Sequence, residues 1–338
     1  VQVMDKRGAI GAGEAPPVLT LLHRGGVVES AHRGDVAVVG AGGELTASLG
    51  NPERLVTLRS AIKPFTAVAV LVAANAAGIE VDEAALALSS ASHAGADEHV
   101  AVARAMIASH GLDPEILVHG RPSPLRAGGS GDLLQHMCSG QHLSLLLLAK
   151  ALGVDPHGYD EYAHPVQVRL RAVVGALLST DLDAAPWGFD GCAIPTYAVP
   201  LRTAAVGAYR WAHPSDSAVP DELRSALSRV QAAAIARTVE QTGTDNAAVV
   251  YLDDAYGRPF ATAVQNALAH QGTAVSLALG VDGSENSLKT AVDTVAAQRP
   301  QRDGPDPALG HCRPERHAER HSRRRRVRQL RQACGGAR

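Results

Sequence analysis

The chain has 338 residues, 46% of them apolar, enough to bury a sizeable core in one large domain or two ordinary ones. With aromatics at 3%, Ala, Val and Leu must do most of the packing. A formal net charge of −2 argues against a general role on nucleic acid or membrane surfaces. No apolar stretch is both long and unbroken enough to span a bilayer, since Phe65–Ile79 and Leu143–Val154 are short and interrupted by Asn75 and Lys150.

Residues 1–17 are Gly/Ala-rich without the apolar core of a signal peptide, so a flexible N-terminus and a cytoplasmic location are expected. Val18–Val28 and Asp35–Val39 carry alternating or β-branched apolar residues. Punctuated by Gly25-Gly26 and Gly40–Gly43, they predict an antiparallel hairpin or meander. The period turns helical over Ala61–Ala77, Asp82–Ser89, Glu98–His110 and Leu143–Leu152, with Gly111 and Gly153 as C-caps. Pro122–Gly131 reads as a loop, Pro165–Leu178 as an amphipathic helix, and Asp221–Val239 begins helically. Ala247–Leu252 and Ala274–Leu279 read as strands flanking a helix over Pro259–Gln271, a βαβ unit. From Arg299 to Arg338 periodicity disappears, and this Arg-, Pro- and His-rich tail is expected to be disordered.

The first chemical signal is Ser60-Ala61-Ile62-Lys63. On a helix, i and i+3 share a face, so the amine can reach the hydroxyl. A serine needs a base to attack at neutral pH, and burial favours the uncharged amine that such a base requires. Pro64 lacks an N–H and fits only a first turn, so the helix is expected to start close to Ser60. Lysine is scarce (Lys6, Lys63, Lys150 and Lys289), and the abundant arginine cannot serve as a base. The bland alternative is a capping serine beside a solvated lysine. Ser89–Gly95 offers a second hydroxyl or an oxyanion donor, or simply the N-cap segment of the next helix. Cys138 and Cys192 could hold zinc with other donors, or be small buried hydrophobes. Ser139, Gly140 and His142 could line an amide-binding pocket.

Six motifs follow in order. They are Arg24–Ser30 with His32-Arg33-Gly34, Arg59-Ser60 through Lys63-Pro64, and Ser92-His93-Ala94-Gly95 through His99-Val100. Cys138-Ser139-Gly140 with His142, His164–Gln167, and Asp190-Gly191-Cys192 through Pro195-Thr196-Tyr197 and Pro200-Leu201 complete the set. Over about residues 18–225 they resemble the rhizobial-type L-asparaginases, the asparaginase II family. The resemblance implies an α+β fold similar to serine β-lactamases, with an antiparallel sheet packed by helices. It also implies hydrolysis of L-asparagine to aspartate and ammonia, in a chain that could form a homodimer. Ser60 and Lys63 would be one serine-lysine dyad and Ser92 the serine of a second, with either serine able to attack. Arg59, His93, Gly95, Ser139, Gly140 and His142 would bind substrate, and Cys138 and Cys192 would ligate zinc.

Three departures stand out. Gln141 occupies the position of a metal-ligating lysine, so zinc should bind more weakly. His119 and Pro122 stand in a Cys-Gly-x-His element. The late Gly-rich segment carrying the second dyad's lysine has no counterpart, Lys289 lying in another context, so Ser92 is expected to lack its base.

From about Gln231 to Arg299 the chain, chiefly Ala248–Arg258, resembles a segment of periplasmic branched-chain amino-acid-binding proteins. The expected organisation is therefore a flexible start (1–17), a truncated asparaginase-like domain (18–230), a βαβ fragment (231–299) unable to fold alone, and a tail (300–338). That is the layout of a fused or truncated gene product. An amino-acid-binding module without catalysis is the alternative function. Nucleic-acid binding through the tail is disfavoured, because the body lacks interleaved basic and aromatic residues.

Overall fold

A computed structural model describes residues 15–120, 131–241, 246–254 and 257–297. Residues 1–14 of the start expected to be flexible (1–17), most of the loop expected at 122–131, and the whole tail expected to be disordered (300–338) lie outside the described residues. The chain divides into two units, residues 1–291 and 292–338, and the second is described only over the end of one helix.

The described residues form an α+β structure. Strands β1 (Val18–Arg24) and β2 (Val27–Arg33) make an antiparallel hairpin. Gly25 and Gly26 turn it at φ +55° and +83°, the two positive values that a two-residue hairpin turn requires. Strand β3 (Val36–Val39) pairs with β4 (Leu45–Leu49), while β5 (Leu55–Thr57) and β6 (Trp187–Phe189) flank β7 (Pro195–Pro200), all antiparallel. Strands β8 (Asn246–Leu252) and β9 (Ala274–Val281) are parallel. These are separate two- and three-stranded sheets, not the one helix-packed antiparallel sheet expected. Register shifts in the β1–β2 and β3–β4 pairs bend those strands, which disfavours wider pairing.

The core is helical. Helices α1 (Lys63–Ala76) and α4 (Ser139–Leu152) lie at its centre, buried over most of their length. Their Ala/Val/Leu composition lets them be apolar nearly all round. Around them pack α2 (Glu83–Ser89), α3 (Asp97–His110), α5 (Pro165–Leu178), α6 (Leu201–Ala212) and α7 (Asp221–Gln241). Side chains set several starts: Asp82 accepts the Ala85 N–H, and His164 accepts the Val166 N–H with Pro165 in the first turn. Gly111 and Gly153, both left-handed, close α3 and α4. None of the described helices is long and apolar enough to cross a membrane.

One expectation needs correction. Helix α1 begins at Lys63, not near Ser60, and Arg59–Ile62 is a 3₁₀ turn leading into it, with Pro64 in the first α-turn. The βαβ unit, which adds α8 (Gly257–His270) to β8 and β9, was expected to be unable to fold alone, and it does not stand alone. Ala232 and Ala236 of α7 pack against Val264, Ala267 and Leu268 of α8, so a neighbouring helix supplies the missing cover. Helix α9 (Glu285–Ala297) follows.

Candidate active site

Strand β5 leads directly into the site. The Leu58 N–H donates to Tyr197 O and the Arg59 N–H to Thr196 Oγ1, each at 3.1 Å, so β7 grips the residues just before Ser60. Arg59 is held at φ +45°, a left-handed value uncommon for a residue with a side chain. Its Nη2 lies 2.8 Å from Asp190 Oδ1, in the loop between β6 and β7. Asp190 also accepts the Gly191 N–H at 2.7 Å.

Lys63 is 1% exposed. Its Nζ donates to Ser92 Oγ at 2.8 Å and lies 3.4 Å from both Met137 O and Cys138 Sγ. Ser92 Oγ in turn lies 3.2 Å from Ser60 Oγ. The order is thus Lys63, Ser92, Ser60. On a regular helix Lys63 would pair with Ser60 directly, but the 3₁₀ turn takes Ser60 out of the α-helix and Lys63 extends to the loop after α2. Ser92, expected to lack a lysine, has this one. Lys289 sits exposed on α9.

Behind Ser92 the next side chain is locked. His93 Nδ1 accepts the Gly95 N–H at 3.1 Å, so the proton of the neutral ring is on Nε2, which donates to Ser139 Oγ at 3.0 Å. Ser139 Oγ donates onward to Leu134 O at 2.9 Å. Burial, then the nearby His99 and Lys63, push His93 down to about 4, in keeping with that neutral tautomer. His142 is wholly buried, its Nδ1 2.6 Å from Tyr159 Oη, and burial followed by His119 and His136 holds it well below the usual histidine range. His119 is lowered chiefly by burial.

The two glycines named as substrate contacts are close-packing positions. A Cβ at Gly140 would lie 2.4 Å from Leu88 O, pressing α4 against the end of α2. One at Gly95, φ +67°, would lie 2.3 Å from Gln135 O.

Cys138 and Cys192 are free and buried, and their thiols interact. That interaction lowers the Cys138 pKa, with His136 and Lys63 adding to the effect against burial. The same interaction and burial raise Cys192. Among the described residues no group of three or more His, Cys, Asp or Glu side chains gathers as a metal would need. Gln141, buried, brings only an amide, so two thiols and a weak donor do not fit a closed zinc set.

A cleft of about 270 Å³ opens beside Arg59, the residue before Ser60, lined by Thr57, Arg59, Trp187, Phe189, Asp190 and Thr196. Ser92 borders another cavity of about 180 Å³, with Ser90, His93, His99, Arg237 and Thr238 on its wall. Of the residues named from sequence, Arg59 lines the first cleft, while His142 faces the interior and Ser139 supports His93. Asp190 and Trp187, which also line that cleft, were not among the site residues expected from sequence, though Asp190 lies within one of the six motifs.

A family model described as L-asparaginase II matches residues 21–306, the greater part of the chain. No curated protein matches it.

Proposed function

This chain belongs to the L-asparaginase II family, a family of amidohydrolases, and on that premise we propose that it hydrolyses L-asparagine through a Lys63–Ser92–Ser60 proton relay. The observation that carries the proposal is a buried lysine amine 2.8 Å from one serine hydroxyl, which lies 3.2 Å from a second. In its uncharged form the amine takes the Ser92 proton as Ser92 takes that of Ser60. Ser60 Oγ then attacks the side-chain amide carbon of asparagine. The C–N bond breaks, the proton returns to nitrogen, and ammonia leaves an aspartyl ester that water cleaves through the same relay. Ser60 stands in the turn opening α1, where the positive helix end can stabilise an oxyanion. Arg59 at the cleft edge offers a guanidinium to the substrate carboxylate. A second reading, favoured by the shorter contact to Lys63, has Ser92 attack directly.

The test is ammonia release from L-asparagine. Lys63→Met and Ser60→Ala should each lower turnover by at least about 10²-fold. Mass spectrometry of quenched enzyme should find the aspartyl ester on Ser60. An ester on Ser92 instead selects the second reading, and undiminished turnover in Lys63→Met discards the relay.

A further inference from the structure

The cleft beside Arg59, the residue before Ser60, contains a feature for which asparagine has no matching group. Trp187 and Phe189 on β6 remain 39% and 50% exposed there. They form a braced wall. Tyr162 stacks on Trp187 with ring centroids 4.1 Å apart, Arg171 Cζ lies 3.9 Å from the Tyr162 centroid, and Phe189 meets Trp187 edge-on at 5.5 Å. In a chain with only 3% aromatic residues, this gathering at one cleft mouth is a marked investment of apolar surface. The polar edge of the same cleft is the Arg59–Asp190 pair, one residue from Ser60. Beyond its Cβ, asparagine has only a polar amide, and its leaving group, ammonia, gains nothing from an aromatic wall. A ligand that uses both edge and wall has an amino-acid end and an apolar group on the amide nitrogen.

We propose that this enzyme also hydrolyses β-aryl amides of L-aspartate, with the aryl ring lying against Trp187 and Phe189. The proposal rests on the serine chemistry inferred above and extends it to the leaving group. The serine oxygen bonds to the amide carbon, the C–N bond breaks, and the arylamine leaves carrying the proton passed back through the relay. Water then converts the ester to aspartate and free serine, with no other reactant required.

The test uses the full chain with L-aspartate β-(4-nitroanilide), reading 4-nitroaniline by absorbance, alongside ammonia release from L-asparagine. Nitroaniline should be released. Trp187→Ala should lower the ratio of kcat/KM for the anilide to that for asparagine by about tenfold, and Trp187→Phe, which keeps a ring, should restore most of it. Turnover of asparagine without release of nitroaniline overturns this inference alone. So does an unchanged ratio in both Trp187→Ala and Phe189→Ala. Failure on both substrates overturns the hydrolase reading and this inference with it.

Discussion

Around the serines, histidines are held neutral by burial. His93 is pushed down to about 4, and His99, His119 and His142 are lowered too, burial being the first cause in each. A ring whose folded pKa lies below its ordinary value of 6.5 takes up protons more readily once the chain unfolds. The stability these neutral rings confer is therefore complete above pH 6.5 and is lost progressively as the pH falls towards about 4. Melting temperature followed by circular dichroism should drop across that window. His93→Asn, whose side-chain oxygen can still accept the Gly95 N–H, should flatten part of the slope. A melting temperature constant between about pH 7 and pH 5 would contradict this account.

At the scale of elements, the contact between α2 and α4 sets the site, because Cys138 and Ser139 open α4 and the Ser90–His93 segment follows α2. Gly140→Ala pushes a methyl against Leu88 O, and backbone cannot give way as a side-chain end can. The cost should be about 1–3 kcal/mol by urea titration, with asparagine turnover falling as well. A neutral result would mean that the two helices slide freely. Pro165–Leu178 was legible to its end residues because a capping histidine, a first-turn proline and a clean apolar period coincide there. Helix α6 was missed because Gly207 interrupts its pattern, yet that glycine sits where a Cβ would be 2.3 Å from Leu178 Cδ2. Strands β5 and β6, three residues each, are too short to show a period. The serines and the lysine were legible from sequence, but their order was not. The Lys63–Ser92 contact spans 29 residues and depends on where α1 starts, so no local spacing encodes it.

At the scale of the molecule, apolar surface remains uncovered. Val18, Leu19, Leu21, Leu22, Val27 and Val28 on the first hairpin are all exposed, and among the described residues no further strand pairs with β1 or β2. Such a surface drives association. Size-exclusion chromatography with light scattering should show mass rising with concentration, and the Leu22→Lys, Val27→Lys double variant should shift the chain towards monomer. A chain that stays monomeric at every concentration would refute this.

Arg59, at φ +45°, is held in a backbone shape that glycine would adopt freely. Selection for heat resistance alone would favour glycine at this position, relieving a conformation that costs of order 1 kcal/mol. The same change would delete the guanidinium facing Asp190 and loosen the peptide that carries the Ser60 hydroxyl. Durability and turnover therefore compete at a single codon, and a heat-hardened descendant of this enzyme should be sought through changes elsewhere.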